Sequence, residues 1–125
     1  MRNMSFSLTE RQLLDGIKTV TRRIGWDFLK RGDRLRAVRK SMGLKRGEHP
    51  VVLGVIEVVM VSRERLCHIR QAEVCAEGFP RMTRKEFIQF FCRHMKCPAD
   101  VMVTRIEFRL VEITNEHHNS PARSR

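Results

Sequence analysis

The stretch Val51-Val52-Leu53-Gly54-Val55-Ile56-Glu57-Val58-Val59-Met60-Val61 decides the fold class. Seven of these eleven residues are β-branched, and such side chains pack well on a pleated surface while losing rotamer freedom in a helix. The run predicts a long buried strand. Gly54, within it, predicts a bend or a close backbone approach.

Working towards the C-terminus, residues 65–76 have helical character with weak caps, closed by Gly78 and Pro80. Thr83 is a good N-cap, and Glu86 three residues on completes a capping-box pattern. Phe87, Phe90, Phe91 and Met95 supply the buried stripe of that helix. At helical spacing the aromatic residues read as core packing rather than as stacking platforms for nucleic-acid bases. Cys97-Pro98 ends the helix. Residues 101–113 then alternate, which predicts a final half-buried strand.

Working towards the N-terminus, residues 34–37 read as a strand after the turn Leu29-Lys30-Arg31-Gly32-Asp33, with Leu35 and Ala37 inward and Arg34 and Arg36 outward. Residues 40–50 contain Gly43, Gly47 and Pro50 and form a polar connection. Residues 4–8 suit a short first strand, and Thr9 offers an N-cap to a helix over 10–15. Gly16 ends that helix, in the left-handed conformation that a C-terminus commonly needs. The element order predicts an α+β fold, a small mixed or antiparallel β-barrel with flanking helices. Residues 1–114 form its single domain. Residues 115–125 have little to bury and are expected to be a disordered basic tail.

Length and composition agree with one folded domain: 125 residues, 42% hydrophobic and 31% charged. No apolar run approaches the roughly 18 to 20 residues of a membrane span, and no secretory leader is evident, so the chain reads as cytoplasmic. Cys67, Cys75, Cys92 and Cys97 lack the tight paired spacing of structural zinc sites, and read as small hydrophobes in a reducing compartment. No metal or cofactor is expected. Neither a GxGxxG nor a P-loop pattern is present, which disfavours ATP and dinucleotide chemistry.

The chemistry-bearing segment is Gly16-Ile17-Lys18-Thr19-Val20-Thr21-Arg22-Arg23, a turn followed by an amine, two hydroxyls and two guanidinium groups. Residues 18–46 hold eleven Lys or Arg against Asp27 and Asp33, nine of the chain's eleven net positive charges. Such a block suits an anionic partner, RNA or a nucleoside or nucleotide, held by Lys18, Arg22, Arg23, Arg34 and Arg36. Trp26 is a candidate base-stacking residue, with core packing as the alternative. No obligate protein partner is inferred. Strict alternation over 18–23 separates Lys18 from Thr21, so the two converge only if the turn continues past Lys18.

Taken together, Gly16-x-Lys18-Thr19-x-Thr21-x-Arg23, Lys30-Arg31-Gly32-Asp33-Arg34-Leu35, Ala76-Glu77-Gly78-Phe79, Glu86-Phe87 and Arg105-Ile106-Glu107-Phe108 resemble the ASCH domain, a small β-barrel group related to the RNA-binding PUA domains. The likeness runs over about residues 6–111. It implies a PUA-like barrel with a cleft between barrel and helices for RNA or a nucleoside. Some small bacterial ASCH proteins resemble amidohydrolases of N4-acylated cytidine, and the resemblance then implies a catalytic set of Lys18, Thr21 and Glu77. Glu73 lies one helical turn from Glu77 and is the competing carboxylate. In that chemistry Thr21 is the nucleophile, Lys18 the base, Glu77 an orienting or proton-passing group, and Arg23 or backbone amides stabilise the oxyanion. Lys18 serves as base only if burial and its cationic neighbours lower its pKa from the free value of roughly 10.4. The basic block fits a free nucleoside poorly, so a non-catalytic RNA-binding module is the alternative, with a ribonuclease less favoured.

Overall fold

A computed structural model of the protein describes residues 1–114. The expected tail over 115–125 lies outside the described residues. The β-branched run forms the N-terminal part of strand β4 (Val52–Arg65), which pairs antiparallel with β3 (Arg34–Val38) on one side and with β5 (Met102–Ile113) on the other. The remaining strands, β1 (Asn3–Ser5) and β2 (Val20–Arg23), occupy the edges. The resulting order is β1-β3-β4-β5-β2, with β1 parallel to β3 and the other pairs antiparallel. This is the expected α+β class with a mixed sheet.

Gly54 lies where β4 approaches β5 most closely. A Cβ there would stand 2.2 Å from the carbonyl oxygen of Glu112, so a side chain is excluded by backbone. The register of the β4–β5 ladder shifts just beyond it, between Val55 and Ile56, and again between Val58 and Met60. Such irregularities bend a strand and increase its twist. Burial of the run is one-sided rather than complete: Leu53, Ile56 and Val58 are inside, whereas Met60 is exposed. The β-branched density, read as full burial, reflects a strand with one face in the core and the other partly open.

Two hydrophobic clusters result. The first joins Met4, Phe6, Leu35, Ala37, Ile56 and Phe108 inside the curved sheet. The second joins Leu66, Ile69, Val74, Phe87, Phe91 and Val103 under the helices. Those helices are α1 (Glu10–Leu14), α2 (Gln71–Ala76) and α3 (Arg84–Met95). The region over 65–76 divides differently from its reading as one helical stretch: β4 continues to Arg65, one turn of 3-10 helix follows at Leu66–His68, and only then does α2 begin. Thr83 and Glu86 make the full reciprocal capping box, at 3.1 and 2.8 Å. Thr9 precedes α1 but its hydroxyl makes no capping bond, because its backbone sits at φ −138°, ψ 29° rather than in the extended conformation of a good cap.

The four cysteines are free and half-buried, with Cys92 and Cys97 packed against the second cluster. Among the described residues, no helix is long and apolar enough to cross a membrane.

Candidate functional site

Lys18 reaches its position through two backbone contacts that the local sequence sets up. Gly16 adopts φ +78° after α1, and the amides of Ile17 and Lys18 both donate to Gln12 O at 3.0 Å. The turn therefore continues past Lys18. One residue later, the Thr19 amide donates to Ala76 O at 2.8 Å, and Thr19 O accepts from the Phe108 amide at 3.0 Å. Since Thr19 adjoins Lys18 and Ala76 adjoins Glu77, that first bond brings together two residues 59 positions apart.

Gly78 completes the fit. Its φ is +107°, and a Cβ there would meet Gln12 Cβ at 3.0 Å and Lys18 Cβ at 3.4 Å. A glycine permits the chain to turn out of α2 while the end of that helix closes onto α1. Lys18 Nζ then donates to Glu77 O at 2.9 Å and to Glu77 Oε1 at 3.1 Å. The ammonium thus caps a carbonyl at the C-terminus of α2 and pairs with its carboxylate, both favourable for a cation.

Lys18, Thr21 and Glu77 are 4%, 3% and 3% exposed, and all three line one cavity of about 200 Å³. Its floor is polar and charged. Its opposite wall is aromatic, built from Phe79 and the α3 residues Phe87, Phe90 and Phe91, with His94 and Met95 towards the end of that helix. The Phe90–Met95 part of the helix stripe is less buried than its spacing suggested: Phe90 is half-buried and Met95 is exposed. The stripe faces a cavity over part of its length, and periodicity does not separate a cavity wall from a core. His94, unassigned by sequence, has Nδ1 3.2 Å from Phe90 O and its ring 4.6 Å from the Phe90 ring.

Arg23 bridges the seam of the curved sheet at one point. From β2 at one edge, its Nη2 donates to Ser5 O at 2.7 Å on β1 at the other edge, and its guanidinium lies over Phe6 at 5.0 Å. Its Nε donates to Thr21 Oγ1 at 3.0 Å. Among the described residues no β1–β2 ladder forms, so the barrel is open along the line where the cavity sits. Arg23 is half-buried, and burial lowers its guanidinium to about 10 against the opposing charge of Glu77.

Burial is also the main cause lowering the Lys18 ammonium below its ordinary value; Arg23 and Arg22 act in the same direction, and Glu77 opposes them through charge and hydrogen bond. Lys18 therefore holds its proton less tightly than a surface lysine. Its Nζ bonds to Glu77 rather than to Thr21, whose hydroxyl accepts from Arg23.

Arg22 departs most from its expected place on a binding surface. It is 4% exposed and ion-paired to Glu64 at 2.8 Å, Glu73 at 2.8 Å and Glu77 at 3.0 Å. A cation enclosed by three carboxylates is not free to meet a phosphate. Burial would lower its pKa, but hydrogen bonds to Glu73, Glu64 and Glu77 and the charge of Glu77 carry it upward. Of the two candidate carboxylates, Glu77 lines the Lys18 cavity, whereas Glu73 lies on a second, polar cavity of about 260 Å³ with Arg22 and Arg105.

Arg34 and Arg36 are on β3 and line neither cavity. The Arg34 side chain is 54% exposed and pairs with Glu57 at 3.0 Å, while Arg36 donates to Asn3 Oδ1 at 3.2 Å. Trp26 packs partly against the first core cluster, with its ring 5.6 Å from that of Phe28, and does not line the Lys18 cavity. Among the described residues no group of three His, Cys, Asp or Glu side chains is placed to hold a metal ion.

No family model matches the chain, and no curated protein matches it in sequence. Solved structures do match. Protein EF3133 of Enterococcus faecalis, described as DUF984, superposes with a TM-score of 0.66 at 16% identity, over 96% of this chain and 82% of that one. An ASCH domain from Lactobacillus crispatus superposes with a TM-score of 0.58 at 14% identity, over 89% of this chain and 79% of that one. The fold is that of an ASCH domain. In the ASCH fold as this chain builds it, the cavity lies at the open seam of the barrel, between the two hydrophobic clusters. What is shared at such identities is the backbone arrangement, so the chemistry of the site rests on the residues of this chain.

Proposed function

We propose that the Lys18 cavity binds a nucleobase or nucleoside and hydrolyses an amide on its exocyclic amine, as in N4-acylated cytidine. The single observation carrying this reading is the convergence of Lys18, Thr21 and Glu77 on one small cavity. A nucleophile, a desolvated amine and a carboxylate rarely share a pocket without chemical use. The aromatic wall opposite offers flat apolar surface to a base ring.

Arg23 Nε occupies a lone pair of the Thr21 oxygen, which polarises the hydroxyl and leaves its proton for another acceptor. Lys18, in its neutral form, takes that proton as the Thr21 oxygen bonds to the acyl carbon. Positive charge from Arg23 stabilises the oxyanion. Collapse breaks the carbon–nitrogen bond, and Lys18 returns the proton to the departing exocyclic amine. Water then cleaves the acyl ester, releasing a carboxylic acid and restoring Thr21. Glu77 accepts hydrogen bonds from Lys18 throughout and keeps its amine aimed into the cavity.

The test is release of cytidine from N4-acetylcytidine, followed chromatographically, for the wild type and for Lys18→Ala, Thr21→Ala and Glu77→Ala, with circular dichroism to confirm folding. The reading requires turnover by the wild type and its loss in each folded variant. No release by the wild type, or variants as active as it, refutes the reading.

A second reading, an RNA-binding module, is favoured by the exposed cations outside the cavity, among them Arg31, Arg34, Lys40, Lys45 and Arg46. It requires affinity for short RNA that falls steeply with salt and is weakened by substitutions on β3. RNA recovered intact from the same mixtures separates binding from cleavage.

A further inference from the structure

We propose that Arg22 is a positioning residue for the Lys18–Glu77 pair: by occupying Glu77 Oε2 it leaves Lys18 only Oε1, and so keeps the amine from being locked into a two-oxygen ion pair. The geometry is specific. Arg22 Nη1 donates to Glu77 Oε2 at 3.0 Å, while Lys18 Nζ donates to Glu77 Oε1 at 3.1 Å. The two cations divide one carboxylate.

Arg22 is itself held from behind. Its Nε and Nη2 both donate to Glu64 Oε2, at 3.1 and 2.8 Å, and Nη2 also donates to Glu73 Oε1 at 2.8 Å. Glu73 is fixed in turn by Arg105, at 2.6 and 3.2 Å. A planar guanidinium bonded along one edge presents its remaining nitrogen in one direction only. Carboxylates from β4 and α2 thus aim Arg22 Nη1 at Glu77, and the network runs from Arg105 through Glu73, Arg22 and Glu77 to Lys18. A lysine at position 22, with one compact ammonium, cannot serve three carboxylates in this way.

The consequence falls on the Lys18 proton. Charged groups around Lys18 are Glu77 from the end of α2 and Arg22 and Arg23 from β2, with His94 of α3 on the same cavity. Without Arg22, both Glu77 oxygens become available to the ammonium and a neighbouring positive charge disappears. Both changes favour the protonated amine. Arg22 therefore keeps Lys18 competent as a base from behind the cavity floor.

The effect on turnover rests on the hydrolase reading, but the effect on Lys18 does not, so the experiment has two readouts. Protein with 13C-labelled lysine is titrated by NMR, with the Lys18 signal assigned by its loss in Lys18→Ala, for wild type, Arg22→Gln and Arg22→Lys. The expected result is Lys18 losing its proton about one pH unit higher in Arg22→Gln, with a smaller shift in the same direction in Arg22→Lys. The rising limb of the pH–rate profile moves with it, and kcat at neutral pH falls about tenfold, since one unit is a tenfold change in free amine. KM stays unchanged. Should Arg22→Gln fail to fold, the Arg22→Lys titration decides. Lys18 titrating as in the wild type in the folded variants overturns the proposal and leaves Arg22 a purely structural ion. A shifted titration in a protein that shows no hydrolysis sustains the role of Arg22 and removes the hydrolase reading.

Discussion

Strands β2 and β3 each carry a pair of arginines, and the two pairs meet opposite fates. Arg22 of β2 is enclosed by Glu64, Glu73 and Glu77, and Arg23 is spent on Thr21, Ser5 and the Phe6 ring. Arg34 of β3 stands largely in solvent beside Glu57, and Arg36 leans on Asn3. The difference is one of neighbours. The edge strand β2 is overlain by the end of α2, which supplies carboxylates and removes water; β3 lies towards the other edge of the sheet. A run of like charges in sequence is thus divided by the fold into an interior network and a solvated face. Only the second is available to an anionic polymer.

The largest effect expected within this comparison is chemical. Lys18→Ala, Thr21→Ala and Glu77→Ala should each lower hydrolysis of N4-acetylcytidine by about 100-fold or more, while Arg34→Gln leaves it unchanged in the same assay. Activity lost on β3 and retained at the cavity would invert the assignment.

Stability gives the next contrast. Arg22→Met takes a cation from Glu64, Glu73 and Glu77, of which the last two keep Arg105 and Lys18, and should cost about 3 to 5 kcal/mol, whereas Arg34→Met removes a surface pair and should stay within about 0.5 kcal/mol. Urea denaturation of both variants measures this directly, and equal costs would break the distinction between buried and exposed cations.

A smaller effect is expected with pH. Hydrogen bonds from Arg105, opposed by burial and reinforced by Arg22, hold the Glu73 carboxyl at about 2, against 4.5 for the free group. A depressed carboxyl stabilises the fold above its unfolded value, and that contribution drains away as pH falls from about 4.5 towards 2. Glu73→Gln should therefore lower Tm near neutrality and converge with the wild type towards pH 2. A constant gap across that range would show that Glu73 acts through packing rather than charge.

The smallest change in fold belongs to Arg34→Gln combined with Arg36→Gln. Thermal stability should be nearly unaltered, while any RNA affinity at low salt weakens and its salt dependence becomes shallower. Unchanged RNA binding in that variant would overturn the assignment of the RNA contact to β3.

Much of the fold was legible because burial leaves a periodic mark. The alternation of Leu35 and Ala37 with Arg34 and Arg36 and the Thr83–Glu86 capping box recur in the structure as read, and the β-branched run at 51–61 recurs as a long strand, though buried on one face only. The split of residues 65–76 was not legible, since a strand end and a short helix share a similar apolar content. The aromatic stripe of α3 was legible in part: Phe87 and Phe91 pack in the second core cluster as expected, but they also border the cavity with Phe90, and the spacing is the same whether a helix packs on a core or lines a cavity.

At the site, sequence alone named Lys18, Thr21 and Glu77 through a resemblance of motifs, and it determined the turn at Gly16 that lets the chain continue past Lys18. Which carboxylates surround which cations was decided only in three dimensions. Arg22 and Glu64, Glu73 and Glu77 are separated by 42, 51 and 55 residues, distances over which no periodicity operates. Their meeting depends on the Thr19–Ala76 backbone bond and the bare Cα of Gly78. Charge is written residue by residue in a sequence, but its effect depends on solvent and partners, and these exist only once the chain has folded.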